Sequence, residues 1–322
     1  MNKTVNNRVI PIRPFVLQKA LFCFIGIVFI GLMSVENTVQ ANSGLQVERS
    51  ACSIDSIRNK QRSYNIESLN KKGTRLKSLN IEVQTGLLEL PRLDFDLVST
   101  TPHDVHAYTQ GLVYYKGYLY ESTGGLGLSE LRKVELKTGK VIKFKKLPDS
   151  YFAEGLAVSN NHLVQLTLKK NVALVYDIGD FKEINQFSFT GDGWGIVESG
   201  SDLLISDGSS LLQRVDAGSF KLEQKVNVTV NGEELHGINE MENIDGMIYA
   251  NVWPTDCIAV IDSDKYNVVA WLDLSSLYPE NKRLNKSSVL NGIAYDVEKR
   301  QLLVTGKNWP YIYHLNLKQY PD

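Results

Sequence analysis

From about residue 94 onward the chain alternates short β-branched and aromatic runs with breaks of Gly, Asn and Asp, and no segment sustains a 3.6-residue apolar period. That texture predicts strands throughout. Five segments repeat one pattern: a polar or aromatic residue, usually Gly, an apolar residue, a few turn residues, then an apolar strand. They open Gln110-Gly111-Leu112, Glu154-Gly155-Leu156, Trp194-Gly195-Ile196, Asn239-Glu240-Met241 and Asn291-Gly292-Ile293, with Glu240 standing where the others have Gly. The leading residues are 44, 40, 45 and 52 positions apart. Third strands are predicted over 131–136, 172–178, 211–216, 258–262 and 311–317, and fourth strands over 141–147, 184–189, 222–228 and 268–274.

Four strands in a repeat of roughly 40–50 residues are the pattern of a β-propeller blade. The fifth unit lacks a fourth strand, while an unmatched strand, Phe95-Asp96-Leu97-Val98-Ser99, precedes the first. Letting that N-terminal strand complete the last blade closes the ring and leaves no open interface. The expected fold is therefore all-β, a five-bladed β-propeller spanning residues 89–322. A generic β-sandwich, or a sixth blade within 42–93, accounts for the registered repeats less well.

In a propeller the first strand of each blade lines a central channel, so equivalent positions form a ring at one depth. Here the ring is Gln110, Glu154, Trp194, Asn239 and Asn291, a polar set with an aromatic wall and one acid. Phe152 and Leu156 flank Glu154 and would partly desolvate it, which raises a carboxyl pKa toward the range suited to proton transfer. The alternative is a channel carboxylate satisfied by amides or water. Lys307 follows the fifth unit's second strand and is either a stabiliser of developing negative charge or a solvated loop lysine. Trp253 holds the matching place one blade earlier, and with Trp194 it either clamps a small group or packs in the core.

Composition narrows the function. With 35 Lys+Arg against 36 Asp+Glu the formal charge is −1, and no clustered basic excess marks a nucleic-acid surface. Five His and three Cys, scattered, make no metal framework. At the N-terminus, Lys3, Arg8, Arg13 and Lys19 precede an uncharged apolar run over 20–33. As a helix that run reaches only about 21 Å, short of the roughly 30 Å of a bilayer core. Val39-Gln40-Ala41 then offers a small-x-small cleavage site, so residues 1–41 are expected to be a secretory signal peptide, or else an uncleaved anchor. Export to the periplasm or the medium is expected, with membrane contact only through that segment. Residues 42–88 are polar and read as a loosely held extension. Cys52 and Cys257 either pair or remain free; the polar setting of Cys52 favours two free thiols.

The motifs Tyr108-Thr109-Gln110-Gly111-Leu112, Phe152-Ala153-Glu154-Gly155-Leu156, Asp192-Gly193-Trp194-Gly195, Asn239-Glu240-Met241-Glu242, Asn251-Val252-Trp253-Pro254 and Val304-Thr305-Gly306-Lys307, in this order, resemble the plant and bacterial type of glutaminyl cyclase, a five-bladed propeller family. The resemblance covers about residues 94–318. It implies cyclisation of an N-terminal glutamine to pyroglutamate with release of ammonia, on peptides or proteins. A monomer is expected. It implies catalytic roles for Glu154 as proton shuttle and for Lys307 and Asn239, and substrate binding by Gln110, Tyr108, Phe152, Trp194 and Trp253. No metal is required for that chemistry, although some members carry a structural cation. One departure stands out: Leu168 occupies a position where the family commonly has Trp. The competing readings are a non-catalytic peptide-binding propeller and a calcium-dependent lactonase-like propeller.

Overall fold

The computed structural model describes residues 52–71 and 89–318. The signal segment 1–41 lies outside the described residues. Strand β1 (Phe95–Pro102) comes first. Blade 1 follows as β2 (Thr109–Tyr115), β3 (Tyr118–Thr123), β4 (Glu130–Glu135) and β5 (Val141–Lys146). Blade 2 is β6 (Ala153–Ser159), β7 (His162–Thr167), β8 (Val172–Asp177) and β9 (Glu183–Ser188). Blade 3 is β10 (Ile196–Ser199), β11 (Asp202–Ser206), β12 (Leu211–Asp216) and β13 (Leu222–Asn227), trailed by a small hairpin of β14 (Thr229–Val230) and β15 (Glu233–Glu234). Blade 4 is β16 (Ile238–Ile244), β17 (Met247–Val252), β18 (Cys257–Asp262) and β19 (Val268–Asp273). Blade 5 contributes β20 (Leu290–Asp296), β21 (Gln301–Gly306) and β22 (Tyr311–Leu317).

Each blade is an antiparallel sheet, and the fifth has the order β1-β22-β21-β20. The first strand thus closes the ring, with Phe95 opposite Leu317 and Pro102 opposite Tyr311. The closure predicted from the spare strand is the one observed.

What holds the ring together is the material between blades. Leu166 and Val175 of blade 2 mesh with Leu203 and Ile205 of blade 3, all but dry. Leu119 of blade 1 meets Ala294 and Leu303 of blade 5 in the same way. Each fully buried Leu or Ile contributes roughly 1.5–3 kcal/mol. Near the axis there is room only for backbone. A Cβ on Gly195 would sit 2.0 Å from the Asn239 carbonyl oxygen, so the inner strands of blades 3 and 4 can close up only over glycine. Blade 4 has Glu240 at the equivalent place. Its buried carboxylate reaches across the channel to accept hydrogen bonds from the backbone N–H of Ile293 (2.7 Å) and Leu112 (3.4 Å), and burial holds its pKa well above the usual carboxylate range.

Two expectations are corrected. The stretch 42–88 is not simply a loose tether, because Ile54–Lys71 within it forms helix α1. Ile54 and Ile57 bury themselves beside Leu235, Ile238 and Val252 of the blade 3–4 interface. The apolar stripe is short and Gln61 interrupts it, so the sequence hides it among polar neighbours. The free-thiol expectation also fails: Cys52 and Cys257 form a disulfide with Cα atoms 5.6 Å apart, tying the start of α1 to β18. Among the described residues no helix is long and apolar enough to cross a membrane.

A buried ion pair supports the entry to blade 1. His103 Nε2 lies 2.8 Å from Glu121 Oε1, and His103 Nδ1 lies 2.7 Å from the Trp309 carbonyl oxygen. Both partners accept, so both ring nitrogens donate and the imidazolium is favoured. Burial alone would lower the His103 pKa, but the Glu121 charge and these hydrogen bonds raise it above its usual value. An imidazole raised in the folded state stabilises fully below its unfolded value of about 6.5, and loses that contribution as pH climbs through the higher folded value. Denaturant titrations across pH should therefore show His103→Gln narrowing its deficit against the parent as the medium becomes alkaline. A deficit independent of pH would mean that the imidazole is neutral.

Candidate active site

The five leading residues owe their aim to irregularities in the ladders. In β2 the pairing runs from Thr109 opposite Thr123 directly to Gly111 opposite Ser122, skipping Gln110. In β6 it jumps from Ala153 to Leu156, in β16 from Ile238 to Met241, and in β20 from Leu290 to Ile293. Glu154, Asn239 and Asn291 fall in these gaps. A bulge frees a residue from the ladder and redirects its side chain, here toward the axis. Trp194 stands just ahead of β10, with its N–H donating to the Ser206 carbonyl at 2.8 Å.

Gln110, Glu154, Trp194 and Asn239 line a cavity of about 360 Å³. Asn291 is the ring member that serves as a support, its Nδ2 donating to the Thr109 carbonyl (3.0 Å) and to Gln110 Oε1 (3.4 Å). Two residues upstream of Gln110 and Glu154, Tyr108 and Phe152 make the outer wall, edge to face with ring centroids 6.4 Å apart. Lys307 and Trp253, each the first residue past a second strand, complete it. All eight residues picked from the sequence line this one cavity. Trp194 and Trp253 stand edge to face at 5.8 Å, both lining the cavity. Gly208, with φ +81°, lets Trp194 lie flat against the chain, because a Cβ there would be 2.6 Å from the indole.

Four further residues line the cavity: Tyr64, Leu168, Lys169 and Asp192. Leu168 and Asp192 stand in motifs already singled out. Tyr64 comes from α1 and was missed. Its signal is the spacing Ile54, Ile57, Gln61, Tyr64, a helical stripe of 3-4-3 that points one aromatic at the same side as two buried isoleucines. The Tyr64 ring meets Trp253 edge on at 4.6 Å.

The cavity holds an acid and a base in a dry setting. Burial pushes the Glu154 carboxyl up to about 8, with Lys307 pulling it down and Asp192 adding to the rise. Burial pulls the Lys307 ammonium down to about 8, against the opposing pull of Glu154. The Lys307 Nζ sits 4.8 Å from the Tyr108 ring centroid, a cation–π distance that fixes the amine over the cavity. Asn239 Oδ1 is buried without a hydrogen-bond partner. An orphaned acceptor costs about 1–3 kcal/mol, a cost relieved when a ligand N–H arrives.

The donors do not suit a cation here. Glu154 and Asp192 are the cavity's two acids, and the Lys307 and Lys169 ammonium groups share the wall with them. Among the described residues one carboxylate group is close enough to share an ion, Asp202, Asp216 and Glu223 in blade 3. Arg214 already engages Asp202 at 2.8 Å, and Asp216 caps the turn at Ser219. That group does not fit an ion serving the cavity.

The family model for glutamine cyclotransferase matches residues 74–317. A glutaminyl-peptide cyclotransferase of Arabidopsis thaliana is 41% identical over 233 residues, which cover 70% of this chain and 72% of the relative. The crystal structure of Myxococcus xanthus glutaminyl cyclase superposes with a TM-score of 0.68 at 31% identity, covering 72% of this chain and all of the other.

Proposed function

The chain belongs to the glutamine cyclotransferase family, and from that premise we propose that it converts the N-terminal glutamine of peptides to pyroglutamate, releasing ammonia, with Glu154 as the proton shuttle. The observation that carries the reading is a buried carboxyl, raised to about 8, in an aromatic cavity that also holds an ammonium.

An α-amine titrates at about 7.7–8.0. A carboxyl raised to about 8 is matched to it, so a proton moves between them at little cost. The amine nitrogen attacks the side-chain carboxamide carbon, a C–N bond forms, and Glu154 takes the proton from that nitrogen. The tetrahedral oxyanion is held by the Lys307 ammonium, while Asn239 Oδ1 accepts from the substrate amine. Glu154 then returns the proton to the departing nitrogen as the original C–N bond breaks, and ammonia leaves. Proton and charge balance without a metal or cofactor. Trp194, Trp253 and Phe152 fold the flexible side chain into the attacking conformation, and that loss of freedom is where proximity gains arise. Gln110, fixed by Asn291, orients the carboxamide.

The mixed-acid lining of a calcium lactonase is disfavoured by the ammonium of Lys307 in the cavity. Catalysis separates this reading from a binding-only propeller. Incubation with a Gln-initiated dipeptide should give a product lighter by one ammonia and lacking a free amine. Recovery of unchanged peptide would leave only the binding role.

Leu168 tests how closely the cavity follows the family pattern. It lines the wall half-buried, its N–H donating to the Phe152 carbonyl at 2.9 Å. Leu168→Trp is expected to keep kcat/KM or raise it a few-fold. A severe loss would show that this wall is organised differently.

A further inference from the structure

Helix α1 lies before the segment matched by the family model, which begins at residue 74. It is nonetheless fastened at several points to blade 4, to the hairpin trailing blade 3 and to the connection from blade 4 to blade 5. Cys52 is bonded to Cys257, Arg58 pairs with Glu233, and Lys60 pairs with Glu280. Gln61 Nε2 donates to the carbonyl oxygens of His236 (2.9 Å) and Trp253 (3.0 Å). The residue so positioned is Tyr64, stacked edge on against Trp253.

Tyr64 also lines a second cavity, of about 600 Å³, between α1 and the connection from blade 4 to blade 5. The two cavities share this one side chain. Pro254 and Val289 give the second cavity its other apolar surfaces. Its charged members are largely spoken for: Lys60 is paired with Glu280, and the buried Arg283 is bonded to Asp256 at 2.7 Å. With Lys286 as its further charged member, the groove carries a small positive charge beside its apolar faces.

We propose that α1 builds a subsite for the residue following the N-terminal glutamine, with Tyr64 as its specificity-determining wall, so that peptides with an aromatic or large aliphatic second residue are preferred. This rests on the cyclase reading above: with glutamine folded over Glu154, the rest of the peptide must leave past the mouth, where Tyr64 separates one cavity from the next. An apolar side chain there gains contact with Tyr64, Pro254 and Val289, whereas glycine gains none.

The test is the ratio of kcat/KM for Gln-Phe-amide over Gln-Gly-amide, measured on the full chain and on Tyr64→Ala. The ratio should fall roughly 10-fold in the variant, the usual worth of one apolar subsite contact, and Tyr64→Phe should restore it. A ratio unchanged by Tyr64→Ala, whatever the absolute loss, would overturn the subsite. The same ratio read as Kd by tryptophan quenching in a Glu154→Gln background decides the question without turnover. Absence of ammonia from the parent enzyme would count against the cyclase reading alone, while the Kd ratio would still decide on Tyr64.

Discussion

Glu154→Gln should lower kcat by about 10³-fold or more while leaving KM within a few-fold, because one carboxyl serves as base and then as acid, and each role contributes roughly 10²–10⁴. A 10³-fold loss corresponds to about 4 kcal/mol of transition-state stabilisation. The variant should fold, and its Tm at pH 8 should equal or exceed the parent's. The sign follows from linkage. Glu154 is raised in the folded state to about 8, so the unfolded chain ionises first, and each pH unit between about 4.5 and about 8 favours unfolding, after which the penalty stays constant. Removing the ionisable group removes that penalty. Gain of stability together with loss of turnover is the signature of a group kept for chemistry. Full activity in the variant would remove Glu154 from the mechanism.

Lys307→Met should cost about 10²-fold in kcat, the usual loss for one oxyanion donor. It should also move the pH profile. Lys307 pulls the Glu154 pKa down, so without the ammonium the carboxyl titrates still higher. The acid limb of the kcat profile should then shift to higher pH. A lysine needed only for packing over Tyr108 would change stability and leave the limb where it was. The steady-state profile of both proteins across pH separates the two.

Much of this was legible in the sequence because a propeller repeats. Five leading residues in register, and one spare strand at the start, were enough to give blade count and closure. The same register placed Glu154 and Asn239 at one depth, and the matching place past the second strands brought Trp253 and Lys307 to the same mouth. What could not be read was whatever breaks the repeat. Glu240 looked like a lapse from the glycine pattern, but its carboxylate bridges to Leu112 and Ile293 across the axis. The bulges are invisible as well, since a polar residue in a strand looks the same whether it faces a neighbour or escapes the ladder. Helix α1 was hidden because its burial depends on a tertiary partner. Two isoleucines and a tyrosine on one side of a polar helix mean little until Cys257 and Trp253 are seen opposite them.

The central claim is that one buried carboxyl, in a cavity shared with an ammonium, suffices to cyclise glutamine. The most direct measurement is ammonia release from a Gln-initiated dipeptide by the parent protein after exhaustive chelation. The account predicts steady release at a rate unaffected by the chelator, with kcat/KM greatest near pH 8, where carboxyl and substrate amine share one proton between them. Release abolished by the chelator and restored by a divalent cation, or no release at any pH, would contradict it.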